Sequence, residues 1–209
     1  MKRYVFACIL LALTTGALAK EFTWKNLAIL YINEYDYFPD DGYVIDYIRE
    51  FHPESWNALK EDEFLLEEQK GKYVQELDSR LNAYDKMELY TIRTGVELGK
   101  YDFESEMFPV VDGLSENTYF QVQPENIGYF QRDSMSIPSR LKVFFENPHI
   151  VSGMAIDKEA AKEFISERKS SSGYIDREVT LILEVRLEGL VDSESDSFMA
   201  EIVEAKFDT

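Results

Sequence analysis

The spacing of apolar residues changes near the middle of the chain. Between Thr23 and about Lys86 these residues recur at intervals of three, four or seven positions, which is typical of amphipathic helices. Thr23 can cap a first helix that runs through Asn33, and Asp40 or Asp41 can cap a second. The first half of the chain is therefore predicted to be helical.

A longer apolar stripe follows in the same half of the chain. Pro53 suits the first position of a helix, because its missing N–H would have no partner there. The stripe itself consists of Leu59, Leu66, Tyr73, Leu77, Leu81 and Tyr84. Gly71 interrupts it and costs about 1 kcal/mol relative to alanine in a helix interior. We expect Gly71 to mark a break in the helix or a close contact between helices.

From Met87 onward the pattern becomes mostly alternating, which predicts strands. The clearest run places Val179, Leu181, Leu183, Val185 and Leu187 on one face. A short helix capped by Asp157 is predicted to precede that strand. Residues 189–197 read as a hairpin connection that leads to a last strand ending near Phe207. Because the strand at 179–187 is apolar on one side only, its sheet is expected to be antiparallel with one wet face.

Helices that precede strands predict an α+β fold. We expect a helical N-terminal half packed on a mainly antiparallel sheet formed by the C-terminal half. No repeat or proline-rich linker divides the chain after the leader. Residues 20–209 are therefore predicted to form a single domain.

The first 19 residues carry the pattern of a secretory signal peptide. Lys2 and Arg3 are followed by an apolar run at 4–13 and then by Ala17-Leu18-Ala19, the small-x-small motif that signal peptidase reads. The alternatives are a buried N-terminal helix or a single membrane anchor, but a spanning helix needs about 20 apolar residues. We predict cleavage between Ala19 and Lys20, and a periplasmic or secreted protein.

Charge and cysteine content exclude several classes of function. With 22 Lys+Arg and 40 Asp+Glu the formal net charge is −18. Such a chain is ill suited to nucleic acid, whose phosphates need clustered cations, or to an anionic lipid surface. The only cysteine, Cys8, lies inside the leader, so the exported chain would have no disulfide and no catalytic thiol.

No residue pattern points to a metal or a cofactor. The two histidines, His52 and His149, lack the close spacing of zinc ligands and are expected at a helix end or in a loop. Three alternating acidic residues near the C-terminus suggest calcium, but the glycine and glutamate of an EF-hand loop are missing there. These residues, Asp192, Glu194 and Asp196, are expected at a solvated hairpin tip. We predict no metal and no cofactor.

Paired carboxylates offer the remaining route to catalysis. Asp102, Glu104 and Glu106 alternate, so on an extended strand they would share one face. A carboxylate pair can hydrolyse glycosides when one member is desolvated. The alternative, which we favour, is an exposed edge whose charges deter aggregation.

The aromatic content suggests binding rather than catalysis: the chain has 14 Phe, 13 Tyr and 2 Trp. Several rings crowd around the acidic turn at Asp40. Tyr35, Tyr37 and Phe38 fall in a predicted loop rather than on a periodic face, so we predict that these three rings are exposed and contact a ligand.

The segment Leu98-Gly99-Lys100-Tyr101-Asp102-Phe103, followed by Phe108-Pro109, resembles an uncharacterised family of exported bacterial proteins. The opening 26–32 and the strand entry Arg177-Glu178-Val179 are similar to it as well. The resemblance implies export and a shared fold and assigns no activity. Within this segment Tyr101 and Asp102 are predicted binding residues, with Gly99 bending the strand and Asp102 capping locally or pairing with Arg132 or Arg177.

Taken together, these features favour a non-catalytic binding module of the cell envelope or the secreted fraction. The expected partner is an envelope or secreted protein, or a glycan, with no stable insertion into the membrane after cleavage. A first alternative is an envelope hydrolase that cleaves glycan or peptide with a carboxylate pair. A second is an accessory or inhibitor protein that binds its partner through a strand edge.

Overall fold

A computed structural model of the chain describes residues 19–34, 41–192 and 196–209. Its first half contains four helices, as the apolar spacing predicts. Their bounds are α1 Trp24–Glu34, α2 Asp41–Phe51, α3 Pro53–Leu59 and α4 Glu63–Asn82. A two-residue strand, β1 (Lys20–Glu21), precedes them.

The predicted helix starts are confirmed where the structure describes them. The Asn26 N–H donates to Thr23 Oγ1 at 3.4 Å, and Pro53 occupies the first turn of α3. The expectation for Gly71 is wrong, because α4 runs through it without a break and no neighbouring atom lies within 4 Å of the position of an added Cβ. The i,i+3 and i,i+4 packing of the flanking turns is enough to carry the helix past one glycine.

Among the described residues, the second half supplies seven strands, one further α-helix and two short 3-10 helices, Tyr129–Ser134 and Pro148–Ile150. In chain order the strands and the α-helix are β2 Leu89–Glu97, β3 Met107–Pro109, β4 Tyr119–Val122, β5 Leu141–Phe145, β6 Gly153–Ala155, α5 Lys158–Glu167, β7 Glu178–Leu190 and β8 Ser197–Asp208. As predicted, Asp157 caps α5 by accepting the N–H groups of Glu159 and Ala160. The predicted α+β fold is thereby confirmed.

Six strands form one sheet in the order β1-β2-β7-β8-β5-β4. The pairs β2–β7, β7–β8 and β4–β5 are antiparallel, whereas β1–β2 and β5–β8 are parallel. Strands β3 and β6 form a separate two-stranded sheet. The sheet is therefore mainly antiparallel, and its two edge strands are β1 and β4.

Two bulges keep the apolar residues of the β7–β8 hairpin on one face. Register shifts lie at Glu184/Val185 and at Leu187/Gly189, where one strand contributes an extra residue. On β8 the extra residue is Val203, which is 46% exposed. The apolar residues of β8 change phase at this point of the sequence, and a bulge is the backbone feature that absorbs such a change.

The main core lies between the inner face of the sheet and the helices. It includes Leu27 and Leu30 of α1, Ile48 of α2, and the predicted apolar face of β7 from Leu181 to Leu187. Helix α1 packs on β5 and β7, and α4 packs on α1 and α2. A smaller core joins α5 to β3, β6 and the start of β7, and it consists of Leu98, Phe108, Met154, Ala161, Phe164 and Val179.

The sheet curls so that its two edges approach each other. Glu21 of β1 and Thr91 of β2 line the same cavity as Phe120 and Val122 of β4, although three strands separate β2 from β4 in the sheet. Right-handed twist accumulated over six strands produces such coiling. The N-terminal segment that leads into α1 thus lies beside the far edge of the sheet.

Candidate functional site

The predicted binding residues lie in two different parts of the chain. Tyr35, Tyr37 and Phe38 lie outside the described residues. Tyr101 and Asp102 are described, and both belong to the connection between β2 and β3. The structure therefore offers the region around Tyr101 as the testable part of the sequence prediction.

Tyr101 is held firmly in place. Its hydroxyl donates a hydrogen bond to the carbonyl oxygen of Ile156 at 3.0 Å. Its ring meets the edges of Phe103 and Phe108 at centroid distances of 5.0 and 5.1 Å. Edge-to-face contacts of this kind stabilise aromatic pairs beyond their buried area. Tyr101 thus connects the buried ring of Phe108 to the exposed ring of Phe103.

An apolar groove lies between these rings and helix α5, and we call it the aromatic groove. Its volume is about 340 Å³, and it is lined by Tyr101, Phe103, Lys158, Glu159, Ala161, Lys162 and Ile165. Phe103 is 70% exposed, and the ammonium group of Lys158 lies 5.7 Å from the centre of its ring. A large exposed ring beside a concave apolar surface is a common feature of binding sites.

Helix α5 contributes both basic and acidic residues to this groove. Lys158 and Lys162 line it together with Glu159, and Glu163 and Glu167 lie outside it, in a neighbouring depression on the same helix. The groove thus has a cationic rim on a protein whose formal net charge is −18. Two lysines beside an apolar groove favour an anionic partner at this place.

Asp102 has a local structural role. Its carboxylate accepts hydrogen bonds from the Glu104 N–H at 2.9 Å and from the Ser105 hydroxyl at 2.7 Å, and these bonds lower its pKa. Of the two predicted roles, local capping is confirmed and pairing with an arginine is wrong. Arg132 bonds Gln123 and the carbonyl of Pro124, while Arg177 donates to the carbonyl of Gly99.

The row of alternating carboxylates at this point is also not an extended strand. Residues 103–106 form a turn, and Glu106 has a φ of 50°. Asp102, Glu104 and Glu106 therefore do not share one strand face. The reason is the Asx-type hydrogen bonding of Asp102, which stabilises a turn over a strand.

Gly99 comes close to the backbone of Pro109 just after β2. A Cβ at this position would lie 3.0 Å from Cγ and 3.3 Å from the carbonyl oxygen of Pro109. The Gly99 N–H donates to that same carbonyl at 2.7 Å. Glycine is suited here because two backbone segments come within hydrogen-bonding distance.

A second cavity lies between the N-terminal segment that leads into α1 and the segment that follows β4, and we call it the seam cleft. Beside the start of α1 it has a volume of about 590 Å³, and its charged lining residues are Glu21, Lys25, Glu50, Arg80 and Glu125. These residues come from β1, α1, α2, α4 and the segment after β4. Residues far apart in sequence therefore converge on one cleft.

Glu50 is the unusual residue of this cleft. It is 0% exposed, and neither carboxylate oxygen has a partner at hydrogen-bonding geometry within the described chain. Burial raises its pKa, against the opposing effect of the nearby Asn126 and Glu125 N–H groups and of Lys25 and Arg49. Buried carboxylates without partners are costly, so they mark candidate functional sites.

A hydrogen-bonded cluster lies next to this cleft. Glu76 Oε1 accepts from the Tyr47 hydroxyl at 2.7 Å and lies 3.1 Å from His52 Nε2 and 3.4 Å from Arg80. Burial by itself would raise the pKa of Glu76, but Tyr47, His52 and Arg80 together lower it. The cluster fixes α4 against the junction of α2 and α3, where His52 lies at a helix end as predicted.

Sequence reasoning did not single out Glu50, although a signal for it exists. Asp46 and Glu50 fall at i+3 and i+7 from Tyr43, so two acidic residues interrupt the apolar side of α2. Asp and Glu are almost never fully buried unless they are paired, so acidic residues on the core-facing side of a helix are a signal in themselves. Lys25 and Arg80 carried no comparable signal, because only the packing of the helices brings them to Glu50.

Among the described residues, no group of three or more His, Cys, Asp or Glu side chains is arranged to hold a metal ion. No helix in that part of the chain is both long enough and apolar enough to span a bilayer.

Comparison with protein families gives one result. The model of DUF4852, described as a domain of unknown function, matches residues 40–167. The chain belongs to the DUF4852 family. The predicted resemblance to an uncharacterised family is thus confirmed, and all residues that line the aromatic groove lie inside the match. No curated protein and no solved structure gives a significant match.

Proposed function

We propose that this DUF4852 protein is an exported, non-catalytic binding module that docks another envelope or secreted protein in its aromatic groove. The ligand segment is acidic and carries an aromatic or aliphatic side chain. The apolar side chain fills the groove beside Phe103, and its acidic neighbours face Lys158 and Lys162.

The observation that carries this proposal is the exposed ring of Phe103 beside an apolar groove with two lysines on its rim. Aromatic residues, Phe among them, are enriched at protein interfaces relative to the rest of the surface. Lysines there would speed the encounter with an acidic partner and reject basic ones. Because an aromatic ring and two lysines lie side by side, the groove suits a protein segment better than a purely apolar ligand.

Export is the second part of the proposal, and it rests on the leader pattern of residues 1–19. The proposed first residue after cleavage, Lys20, begins β1, which pairs with Tyr90 and Thr91 of β2. Removal of the leader at this point would leave β1 complete. The sheet edge is thus compatible with the proposed cleavage.

Site-specific crosslinking tests the docking surface. A photo-reactive amino acid in place of Phe103 should crosslink a defined envelope or secreted protein in producing cells. The matched control places it at Tyr174, which is 69% exposed and does not line the groove. Phe103→Ser and Lys162→Glu should each reduce recovery of the same protein by roughly tenfold, whereas Tyr174→Ser and Lys60→Glu should not.

Equal crosslinking at positions 103 and 174 would overturn the proposal, because it would show encounter without a specific surface. Unchanged recovery with Phe103→Ser would do the same. A partner that binds more tightly after Lys162→Glu would exclude an acidic ligand segment and contradict the charge argument.

A further inference from the structure

The seam cleft is lined by a buried carboxylate, Glu50, whose oxygens have no hydrogen-bond partner within the described chain. Its lining residues include three acidic ones, Glu21, Glu50 and Glu125, and two basic ones, Lys25 and Arg80. The guanidinium of Arg80 already contacts Glu76 at 3.4 Å. The cleft therefore has an excess of anionic acceptors over available cationic donors.

Glu50 is the acidic residue of the cleft that most needs a partner, because it is buried. A buried carboxylate needs hydrogen-bond donors or an opposite charge, since leaving one unpaired costs free energy. Three cations come close without supplying this: Lys25 and Arg80 line the same cleft, and Arg49 pairs with Asp46 at 3.1 Å instead. The Lys25 ammonium group lies 5.9 Å from the centre of the Phe51 ring.

We propose that the seam cleft binds a ligand with a primary ammonium or guanidinium group, and that Glu50 accepts the hydrogen bonds of that group. Such a group supplies several donors together with the compensating charge, which a neutral hydroxyl does not. The negative charge of the whole molecule raises the local concentration of cationic ligands. This site is independent of the aromatic groove and of its partner.

The proposal implies a definite effect of pH on affinity. The groups that face Glu50 are Lys25 of α1, Arg49 of α2 and the segment Glu125–Asn126, while Arg80 of α4 and Glu21 complete the charges of the cleft. Burial raises the pKa of free Glu50, and a bound cation lowers it again. Affinity therefore increases as the pH rises through the pKa of free Glu50, and binding releases a proton.

Calorimetry and NMR titration of the mature protein test the proposal with defined probes. These are n-butylammonium and N-acetyl-lysine amide, with n-butanol and N-acetyl-norleucine amide as uncharged controls. The cationic probes should bind and perturb resonances around Glu50, Lys25 and Gln123, and the uncharged probes should bind at least tenfold more weakly. Glu50→Gln should lower the affinity for the cations by roughly tenfold or more.

Matched variants separate this result from unfolding and from general charge effects. Glu67→Gln removes one negative charge at a side chain that is 78% exposed and outside the cleft, and it should leave the affinity unchanged. Unfolding of Glu50→Gln in urea checks that the variant remains folded. Phe103→Ser should not affect cation binding, so failure of the groove proposal leaves this one standing.

Three outcomes would overturn the inference. One is equal affinity of charged and uncharged probes, and another is unchanged cation affinity in a folded Glu50→Gln protein. The third is preferential binding of a monosaccharide or of acetate, which would assign the cleft to hydroxyl or anionic ligands.

Discussion

Asp46 and Glu50 show how two carboxylates one helical turn apart can have opposite environments. Both belong to α2, and their exposures are 2% and 0%. Asp46 accepts the N–H groups of Ser136 and Ile137 at 2.6 and 3.0 Å and pairs with Arg49. Neither Glu50 oxygen accepts a well-formed hydrogen bond within the described residues, and the Asn126 and Glu125 N–H groups only come near it. Burial is therefore not informative by itself, and the partners decide whether a buried charge stabilises the fold.

The environment of Asp46 leads to a prediction about stability. Asp46→Ala should lower the free energy of unfolding by about 3 kcal/mol, because two backbone N–H groups and Arg49 would lose their acceptor. Urea unfolding checks the value. Asp78→Ala, on the exposed side of α4, is the control and should change it by less than about 0.5 kcal/mol. A loss at Asp46 no larger than at Asp78 would contradict the assigned role.

The environment of Glu50 predicts the opposite effect, because removing its charge should raise the free energy of unfolding. Because burial raises its pKa in the folded state, the free energy of unfolding falls as the pH rises from the ordinary glutamate range through the raised value. Glu50→Gln should remove this fall and increase stability at pH 8 by about 1 kcal/mol. Urea unfolding at pH 4 and pH 8 measures both effects. A variant less stable than the wild type at pH 8 would show that the charged carboxylate has stabilising partners.

At the scale of elements, the space around a glycine determines whether a helix or strand of this fold tolerates a larger residue there. Gly71 lies in an open part of α4, whereas a Cβ at Gly153 of β6 would lie 2.6 Å from the carbonyl oxygen of Phe108 in β3. The same residue type therefore serves no packing purpose in the helix and permits strand pairing in the small sheet. Gly153 matters because β3 carries the ring of Phe108, on which Tyr101 packs.

These two glycines give a paired prediction. Gly71→Ala should raise the free energy of unfolding by about 1 kcal/mol, because alanine is the better helix former. Gly153→Ala should lower it by about 1–3 kcal/mol through overpacking. Chemical denaturation of both variants measures the difference. The reverse order of stability would refute the assigned contacts of these positions.

At the scale of the whole molecule, the N-terminal segment connects proposed export to the fold. Lys20 begins β1, and its ammonium group lies 2.6 Å from a carboxylate oxygen of Glu88. Phe22 continues the pairing, with its N–H donating to the carbonyl of Thr91. The segment that follows the proposed cleavage point therefore pairs with β2 as part of the sheet.

Proteolytic processing is the corresponding prediction. Intact-mass measurement of protein from the envelope or the medium should give a chain that starts at Lys20. Ala19→Arg should cause the precursor to accumulate, because signal peptidase requires a small residue there. Lys20→Arg is the control and should be processed normally. Recovery of the wild-type chain from the envelope or medium with Met1 and the whole leader attached would refute export by this route.

Much of the secondary structure could be predicted because its causes are local. Thr23 and Asp157 cap helices through N–H groups two or three residues away, and the alternation from Val179 to Leu187 follows from strand geometry alone. The turn at Asp102 was the local exception. There, alternating charges suggested a strand, but the side-chain hydrogen bonds of Asp102 favour a turn.

The candidate sites were predicted only in part. Tyr101 lines the aromatic groove, and it could be singled out from the sequence because it is an aromatic residue in a connection. The seam cleft was not predictable, since Glu21, Glu50 and Glu125 meet only when the sheet curls and α2 packs beside the N-terminal segment. The partners of a buried carboxylate depend on the whole arrangement.

The sequence by itself determined the helical and strand halves, the leader pattern and the acidic character of this protein. These properties depend on residue type and on neighbours within one or two turns, so a linear pattern records them. Only the tertiary structure decided the strand order, the two bulges, the groove beside Phe103 and the unpaired state of Glu50. Those features depend on distances between residues far apart in the chain, which packing sets and which no local period encodes.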